Sequence, residues 1–230
     1  MSKKGETKGL KRFRAPRARK LKKKEGKWSV RSRAGAYRSS ESVPLGFVLR
    51  DLVGVCNSMR EVKITLNEGK ARVNGVRRKD YGFSVGLFDI VSIEGAKEDY
   101  RIVFDLKGRF EIEKMERKEK KTKICKVVGK KKVKGGMVQL STNDGRTITE
   151  EKAGVKVGDS VEIELPGQKV VRSLSFGKGA KAYIIGGKHA GKRAEITEVR
   201  KGEINKPKLV LLKEGKKEFL TTAEKVFVVG

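Results

Sequence analysis

Positive charge outnumbers negative two to one along this chain: 57 lysines and arginines stand against 28 aspartates and glutamates, a formal surplus of +29 at pH 7. A surplus of that size repels itself in any folded state unless a polyanion neutralises it. Apolar residues make up 37% of the 230 positions, enough for cores but too diluted by charge for one large core. Two or three small β-rich modules are therefore predicted. Glycine outnumbers proline 27 to 4, which favours tight turns and bulges between short strands over rigid linkers. No apolar run reaches the roughly 18 residues that a spanning helix needs. The opening residues MSKKGETKGLKRF lack the apolar centre of a secretory signal. The expectation is a cytoplasmic protein with no membrane partner.

The surplus is unevenly placed. Residues 1–40 hold 16 lysines and arginines and two acids, about half of the excess, and their apolar residues Leu10, Phe13, Leu21, Trp28 and Tyr37 are too scattered for a core. Such a segment is expected to be an arm, largely disordered when free, that orders on a polyanion with its aromatics packing locally or stacking. From Ser42 the texture changes. Val43, Leu45, Val48, Leu49, Leu52 and Val53 recur at helical spacing, with Pro44 where a first turn tolerates it and Gly54 near the end. Ser58 with Glu61 three residues on is a capping-box pattern and predicts a second helix with Val62, Ile64 and Leu66 as its apolar face and Gly69 as its stop. Asn74-Gly75 between two short β runs is a hairpin signal, and 88–93 and 100–104 read as further strands.

Beyond residue 96 the pattern is all β. Residues 109–113 and 160–165 alternate, the latter ending at a Pro166-Gly167 turn, and Asp144-Gly145 marks a hairpin between 137–140 and 146–148. Between them, 117–134 carries ten lysines and arginines and one glutamate, interleaved with Ile124, Val127, Val128 and Val133. That pattern predicts one charged face of paired strands. Short strands at 182–185, 193–199, 208–212 and 225–229 with Gly-rich turns predict a small barrel. The fold class expected is a multi-domain α+β chain: a basic arm (1–41), a module of two helices and a short sheet (42–95), a central all-β domain (96–172) and a C-terminal barrel (173–230).

One stretch looks catalytic. Gly186-Gly187-Lys188-His189-Ala190-Gly191-Lys192 satisfies part of a phosphate-binding P-loop after a strand, but Arg193 stands where Mg²⁺ ligation needs Ser or Thr, and the residues that follow alternate as a strand does. A Gly-rich turn presenting Lys188, His189, Lys192 and Arg193 to a nucleic-acid backbone accounts for the same residues. Residues 179–199 resemble a KOW motif, the β-hairpin core of a small barrel in ribosomal and transcription-elongation proteins. Ser58-x-Arg60-Glu61-Val62, through Leu66 and Gly69 to Arg72-Val73-Asn74-Gly75, is similar to the S4-type RNA-binding domain, although Met59 stands where that family often has Arg. Lys11-Arg12-Phe13-Arg14-Ala15-Pro16, the S4-like module, Asp105-Leu106-Lys107-Gly108-Arg109-Phe110, Asp144-Gly145-Arg146-Thr147-Ile148 and the KOW hairpin together resemble the archaeal and eukaryotic S-four-e family of small-subunit ribosomal proteins over essentially the whole length. The chain stops after Val-Phe-Val-Val-Gly without the basic tail associated with eukaryotic members, which points to an archaeal member.

The resemblance implies a structural constituent of the small ribosomal subunit that binds small-subunit rRNA and neighbouring ribosomal proteins. It implies no enzyme activity, cofactor, metal, small-molecule substrate or homo-oligomer. The residues expected to face RNA are Lys3, Lys4, Lys8, Lys11, Arg12, Arg14, Arg17, Arg19, Lys20, Arg31, Arg33 and Arg38 in the arm, Arg60, Lys63, Arg72, Arg77 and Arg78 in the S4-like module, and Lys188, His189, Lys192 and Arg193 in the KOW hairpin. With a single histidine, a catalytic triad could use only His189, which has no carboxylate near it in sequence. Cys56 and Cys125 sit far apart in apolar contexts and are expected to be buried free thiols. Glu111 with Glu113, and Glu162 with Glu164, lie two apart on strands and should share solvated faces. The rival readings are a KOW-containing elongation or RNA-processing factor, and an S4-type RNA-modifying enzyme, for which the modules leave no catalytic domain.

Overall fold

Strands dominate the residues described by the structure, a computed structural model covering 9–22, 24, 26–116, 122–150, 154–200, 202–203, 207–215 and 217–230. Two short helices accompany them. The chain divides into two units, Met1–Ile102 with Arg109–Arg117, and Val103–Gly108 with Lys118–Gly230. Lys3, Lys4 and Lys8, and part of the basic run at 117–134, lie outside the described residues.

In the first unit β1 (Leu10–Lys11) pairs antiparallel with β2 (Trp28–Ser29). Next, β3 (Val43–Pro44) leads into α1 (Leu45–Phe47), which continues as a π turn over Val48–Leu52. The helix expected before Gly54 is thus present but more widely wound: the Val53 N–H donates to the Val48 carbonyl, five residues back. Pro44 is the extended residue ahead of the first turn, not a member of it. α2 (Met59–Asn67) starts as its sequence predicts. Ser58 Oγ accepts from the Glu61 N–H at 3.3 Å, and the Glu61 carboxylate accepts from the Asn57 N–H at 2.8 Å and the Ser58 hydroxyl at 3.1 Å. Val62 and Leu66 are fully buried, but Ile64 is exposed. Two residues along a helix is more than half a turn, so Ile64 falls on the opposite side from the stripe it was grouped with.

β4 (Ala71–Val73) and β5 (Val76–Arg77) join through Asn74 and Gly75, both left-handed at φ 53° and 81°, the type I′ geometry that Asn-Gly favours. β6 (Ser84–Val85) pairs with β3, and β7 (Ile90–Ile93), β8 (Glu98–Phe104) and β9 (Phe110–Glu116) complete a five-stranded sheet in the order β5-β4-β7-β8-β9. β8 and β9, which the sequence reading assigned to the central domain, thus hydrogen-bond into this sheet. The predicted strand at Phe88 starts late because Phe88 is left-handed at φ 60°. It opens a turn closed by Asp89, whose buried carboxylate accepts from Asn74 Nδ2 (2.7 Å), the Gly86 N–H (2.7 Å) and the Tyr37 hydroxyl (3.1 Å).

Tyr37 shows that the arm is not free along its whole length. Its ring lies against Gly86, where a Cβ would sit 2.4 Å away, and the Arg33 backbone exchanges bonds with Gly82 and Ser84. The expectation of an arm without a folded part is corrected over residues 31–42: a glycine-lined seat, not a run of apolar residues, holds the segment. Of the other arm aromatics, Phe13 is 96% exposed and Trp28 60%.

The second unit holds two antiparallel sheets. β10 (Thr122–Lys132), β11 (Val138–Thr142), β12 (Thr147–Glu150), β13 (Ser160–Glu164) and β14 (Val170–Leu174) are ordered β12-β11-β10-β13-β14. β15 (Lys181–Ile184), β16 (Arg193–Arg200), β17 (Leu209–Glu214), β18 (Lys217–Thr222) and β19 (Val226–Val228) are ordered β18-β17-β16-β15-β19 around Ala182, Ile184, Ile196, Val210, Leu212 and Val226. Both cysteines are free and buried. Glu111 and Glu113 are exposed beside a half-buried Ile112, as alternation requires.

β10 does not present its cations on one solvated face. Its inward residues are Lys123, Cys125 and Val127, while Val128 is exposed beyond a bulge between Val127 and Gly129. Lys123 is 1% exposed, and its ammonium meets Asp144 of the β11–β12 hairpin at 2.7 Å. Arg146 Nε reaches the same carboxylate at 3.0 Å, and the Thr142 hydroxyl donates to it. Lys126 Nζ donates to the carbonyls of Ala223 (2.8 Å), Glu224 (3.2 Å) and Val226 (2.8 Å), and burial pulls its pKa down to about 8. The strand is as expected and Val127 lies inside, but the cations do not share one solvated face, because partnered lysines can replace apolar residues inside.

Burial alone would raise the Asp144 carboxyl, but the charge and hydrogen bond of Lys123, the Thr142 hydroxyl and Arg146 outweigh it and hold the group below the usual carboxylate range. The folded state therefore takes up this proton less readily than the unfolded chain. The stabilisation is complete above the unfolded value, about 4, and is lost as pH falls through the folded one. Thermal denaturation should show the melting temperature dropping below about pH 4. Asp144→Asn should flatten that drop while costing about 3–5 kcal/mol at neutral pH, since a buried ammonium loses its carboxylate.

Candidate nucleic-acid interface

The cations foreseen from sequence separate by what they touch. Arg19 is 3% exposed and saturated inside the first unit. Its guanidinium donates to the carbonyls of Ser42 (3.2 Å), Val30 (3.1 Å) and Ser39 (3.3 Å) and to the Ser32 hydroxyl (2.7 Å). Burial lowers its pKa to about 10, so it stays charged at neutral pH. A planar guanidinium with five donors can gather four acceptors from an otherwise core-poor strap, and this one does so over residues 30–42. Arg19 is therefore an internal clasp, contrary to the expectation that it faces phosphate. Arg33 also has an internal partner, Asp80, at 2.9 Å.

The other described arm cations lie outward. Lys11, Arg14, Arg17, Lys20, Arg31 and Arg38 are exposed, and Arg12 is half-buried on the 3₁₀ turn Arg12–Arg14. A cleft of about 470 Å³ opens beside this turn, with Arg12, Lys22, Trp28, Arg50, Asp51 and Asn57 in its wall. The neighbours Arg50 and Asp51 pair in its wall at 2.8 Å. Sequence reading missed Arg50 and Asn57 because helical spacing makes Arg50 an ordinary solvated position and nothing local marks Asn57.

Over residues 60–78 the predicted cations lie on α2 and on the β4–β5 hairpin. Arg60 and Lys63 are exposed on α2, and the Lys63 ammonium stands 5.3 Å from the Tyr81 ring centre. Arg72 and Arg77 face each other across β4 and β5. The Arg77 stem lies beside Gly69 at the end of α2. Arg78 is half-buried with its guanidinium 4.4 Å over the Phe83 ring. Aromatic faces attract these cations and orient them without neutralising them. Two acids of this region have other partners, Glu61 in the helix cap and Asp80 with Arg33.

The Gly-rich loop joins β15 to β16, an antiparallel pair, not a strand to a helix. That geometry offers no helix N-terminus to a nucleotide and removes the P-loop reading. Gly191 is left-handed at φ 82°, and a Cβ there would meet the Asp105 carbonyl at 2.1 Å. Glycine is required both by the turn and by the approach of that backbone. Tyr183 secures the same neighbourhood, its hydroxyl accepting from the Phe104 N–H (2.9 Å) and donating to the Phe104 carbonyl (3.0 Å). Of the four loop residues, Lys188 and Arg193 are exposed. Lys192 pairs with Glu214. His189 is half-buried and stacks on Phe219 with ring centres 4.0 Å apart.

Comparison with known proteins gives a consistent result. A family model described as ribosomal family S4e matches residues 96–170. The small ribosomal subunit protein eS4 of Methanosphaera stadtmanae is 38% identical over 230 residues, covering all of this chain and 95% of that protein. Its counterpart from Methanocaldococcus jannaschii is 39% identical over 240 residues, covering all of this chain and 97% of that protein. Among solved structures, the 30S ribosomal protein S4e of Thermoplasma acidophilum matches with a TM-score of 0.71 and 32% identity, over 83% of this chain and 95% of that one.

The two kinds of arginine should be separable by experiment. Arg19→Leu should lower the unfolding free energy by about 2–4 kcal/mol through lost charge-assisted hydrogen bonds while leaving the salt dependence of nucleic-acid binding by the folded fraction unchanged. Arg60→Gln should do the reverse, with stability within about 0.5 kcal/mol of the parent. Chemical denaturation and a salt titration on each variant provide the check.

Proposed function

The chain belongs to the S4e family of ribosomal proteins, and from that premise we propose that it is a structural constituent of the small ribosomal subunit in the cytoplasm, binding and stabilising small-subunit rRNA during assembly and translation. It clamps RNA by charge and performs no turnover. The observation that carries this reading is the set of exposed cations on the first unit, Lys11, Arg14, Arg17, Arg60, Lys63 and Arg77 with the half-buried Arg72, while Glu61 is held in a helix cap and Asp80 by Arg33. Phosphates neutralise such a surface and release counterions, which gives sequence-independent affinity. Recognition then depends on the shape of folded RNA more than on base edges.

Division of labour follows the segments read from sequence. Residues 1–41 reach along the RNA, their Tyr37 end anchored on the fold. Residues 42–95 act as an S4-like platform with Arg60, Lys63, Arg72, Arg77 and Arg78 on its surface. Residues 96–172 form the central β domain, with β8 and β9 lending strands to the first unit's sheet. Residues 173–230 form a KOW-type barrel that offers Lys188 and Arg193 from its Gly-rich loop. Neighbouring ribosomal proteins are the other partners, and the chain acts as a single copy.

Binding of a small-subunit rRNA transcript should weaken at least about 100-fold between 50 and 200 mM salt, the behaviour of a protein that contacts several phosphates. Arg60→Gln and Arg72→Gln should each flatten the log–log slope by about one. An affinity that changed less than threefold over that range would overturn the clamping account, as would failure of the protein to co-sediment with small subunits.

A further inference from the structure

The cleft beside the 3₁₀ turn combines three features that no single role in folding explains. Among the described residues its wall carries the cations Arg12, Lys22 and Arg50 and the carboxylate of Asp51, which accepts from Arg50 Nε at 2.9 Å. Its volume, about 470 Å³, lies in the range of sites that enclose a small ligand. It also contains Trp28, the one tryptophan of the chain, left 60% exposed on a two-residue strand. One side of that indole is covered: a Cβ on Gly9 would lie 3.0 Å from its six-membered ring, so backbone packs there and fixes the ring's orientation. The pairing of Lys11 with Trp28 across β1 and β2 holds the strand in place.

An aromatic ring 60% exposed beside cations, with the Lys27 ammonium 6.0 Å from its centre, fits a ligand with a flat π-face and a negative charge close to it. A nucleotide has both. An unstacked base lies flat on an aromatic ring, its phosphate accepts from guanidinium and ammonium groups, and a side-chain amide such as that of Asn57 can bond a base edge. Resting on the RNA-binding reading above, we infer that this cleft receives one splayed-out nucleotide of the bound RNA, its base against Trp28 and its phosphate against Arg12, Lys22 and Arg50. The arm then does more than neutralise charge. It selects a place on the RNA where a nucleotide can leave the stack, and so fixes the position of the clamp.

Because Trp28 is the sole tryptophan, the intact chain reports on the cleft directly through its emission. On titration with a small-subunit rRNA transcript, indole fluorescence should fall by more than half and become shielded from acrylamide. Adenosine monophosphate should quench only at millimolar concentration. Trp28→Ala should weaken RNA binding about 5- to 100-fold, the range measured for base–aromatic stacking, with no change in salt slope because no cation is removed. Trp28→Phe should stay within about threefold of the parent. If RNA binds with a steep salt dependence, seen by gel shift, while Trp28 emission and acrylamide access stay as in the free protein, the cleft assignment is overturned and the clamping account stands. Saturating quenching by micromolar adenosine monophosphate would overturn it in favour of a free nucleotide. No binding of RNA at any salt concentration would overturn both.

Discussion

Repulsion among like charges sets the terms on which every element of this protein folds. With a net charge of +29, each carboxylate placed inside is one fewer to offset the surface, and the structure places several inside. Asp89 closes the turn before β7, and Asp144 holds Lys123 and Arg146. Asp159 accepts from the Lys156 and Phe176 N–H groups at 2.7 Å each. These acids do local structural work that apolar residues would do in a richer core. The result is a fold whose interior is stitched by charge-assisted hydrogen bonds and whose surface is more positive than composition alone implies. Folding and nucleic-acid binding thereby draw on the same shortage of negative charge.

Some of the fold was legible because it depends on short-range chemistry. Ser58 and Glu61 capped their helix, Asn74-Gly75 turned its hairpin, and Asp144-Gly145 joined β11 to β12, since each pattern has one favourable local geometry. What sequence hid was long-range. Nothing in the pattern around Tyr37 announces that Gly86, 49 residues on, leaves room for its ring. Nothing around Arg19 shows four acceptors converging from residues 30 to 42. β17 was read from its apolar run, whereas β18 (KEFLTT) carries too few apolar residues to be noticed, and only its pairing with β17 makes it a strand. Strand propensity is a weak guide where cross-strand neighbours supply the stability.

The basic run in β10 shows why counting cations overestimates a binding surface. Lys123, Lys126, Lys130 and Lys131 lie on one strand, yet the first pairs with Asp144, the second donates to three carbonyls and the third donates to the Val155 carbonyl at 2.9 Å. Lys192 and Arg33 likewise have carboxylate partners. A lysine in a basic run belongs to the interface only if its neighbours in space leave its charge unanswered, and that is a property of the fold, not of the run. The same test separates His189, stacked on Phe219, from Lys188 next to it.

Glycine sets the complementary limit, deciding where backbone can come close. At Gly191 a side chain would overlap the Asp105 carbonyl, and at Gly86 it would overlap the Tyr37 ring. The first keeps the hairpin loop seated on the 103–108 segment, and the second keeps the arm seated on its module. Each contact fixes the base of an element that carries outward cations, Lys188 and Arg193 in one case and Arg31 and Arg38 in the other. A cation on an untethered chain loses conformational entropy when it meets a phosphate, whereas one held at its base loses less. Two glycines therefore bear on nucleic-acid affinity without touching the ligand: they set how much of the ordering is complete before binding begins.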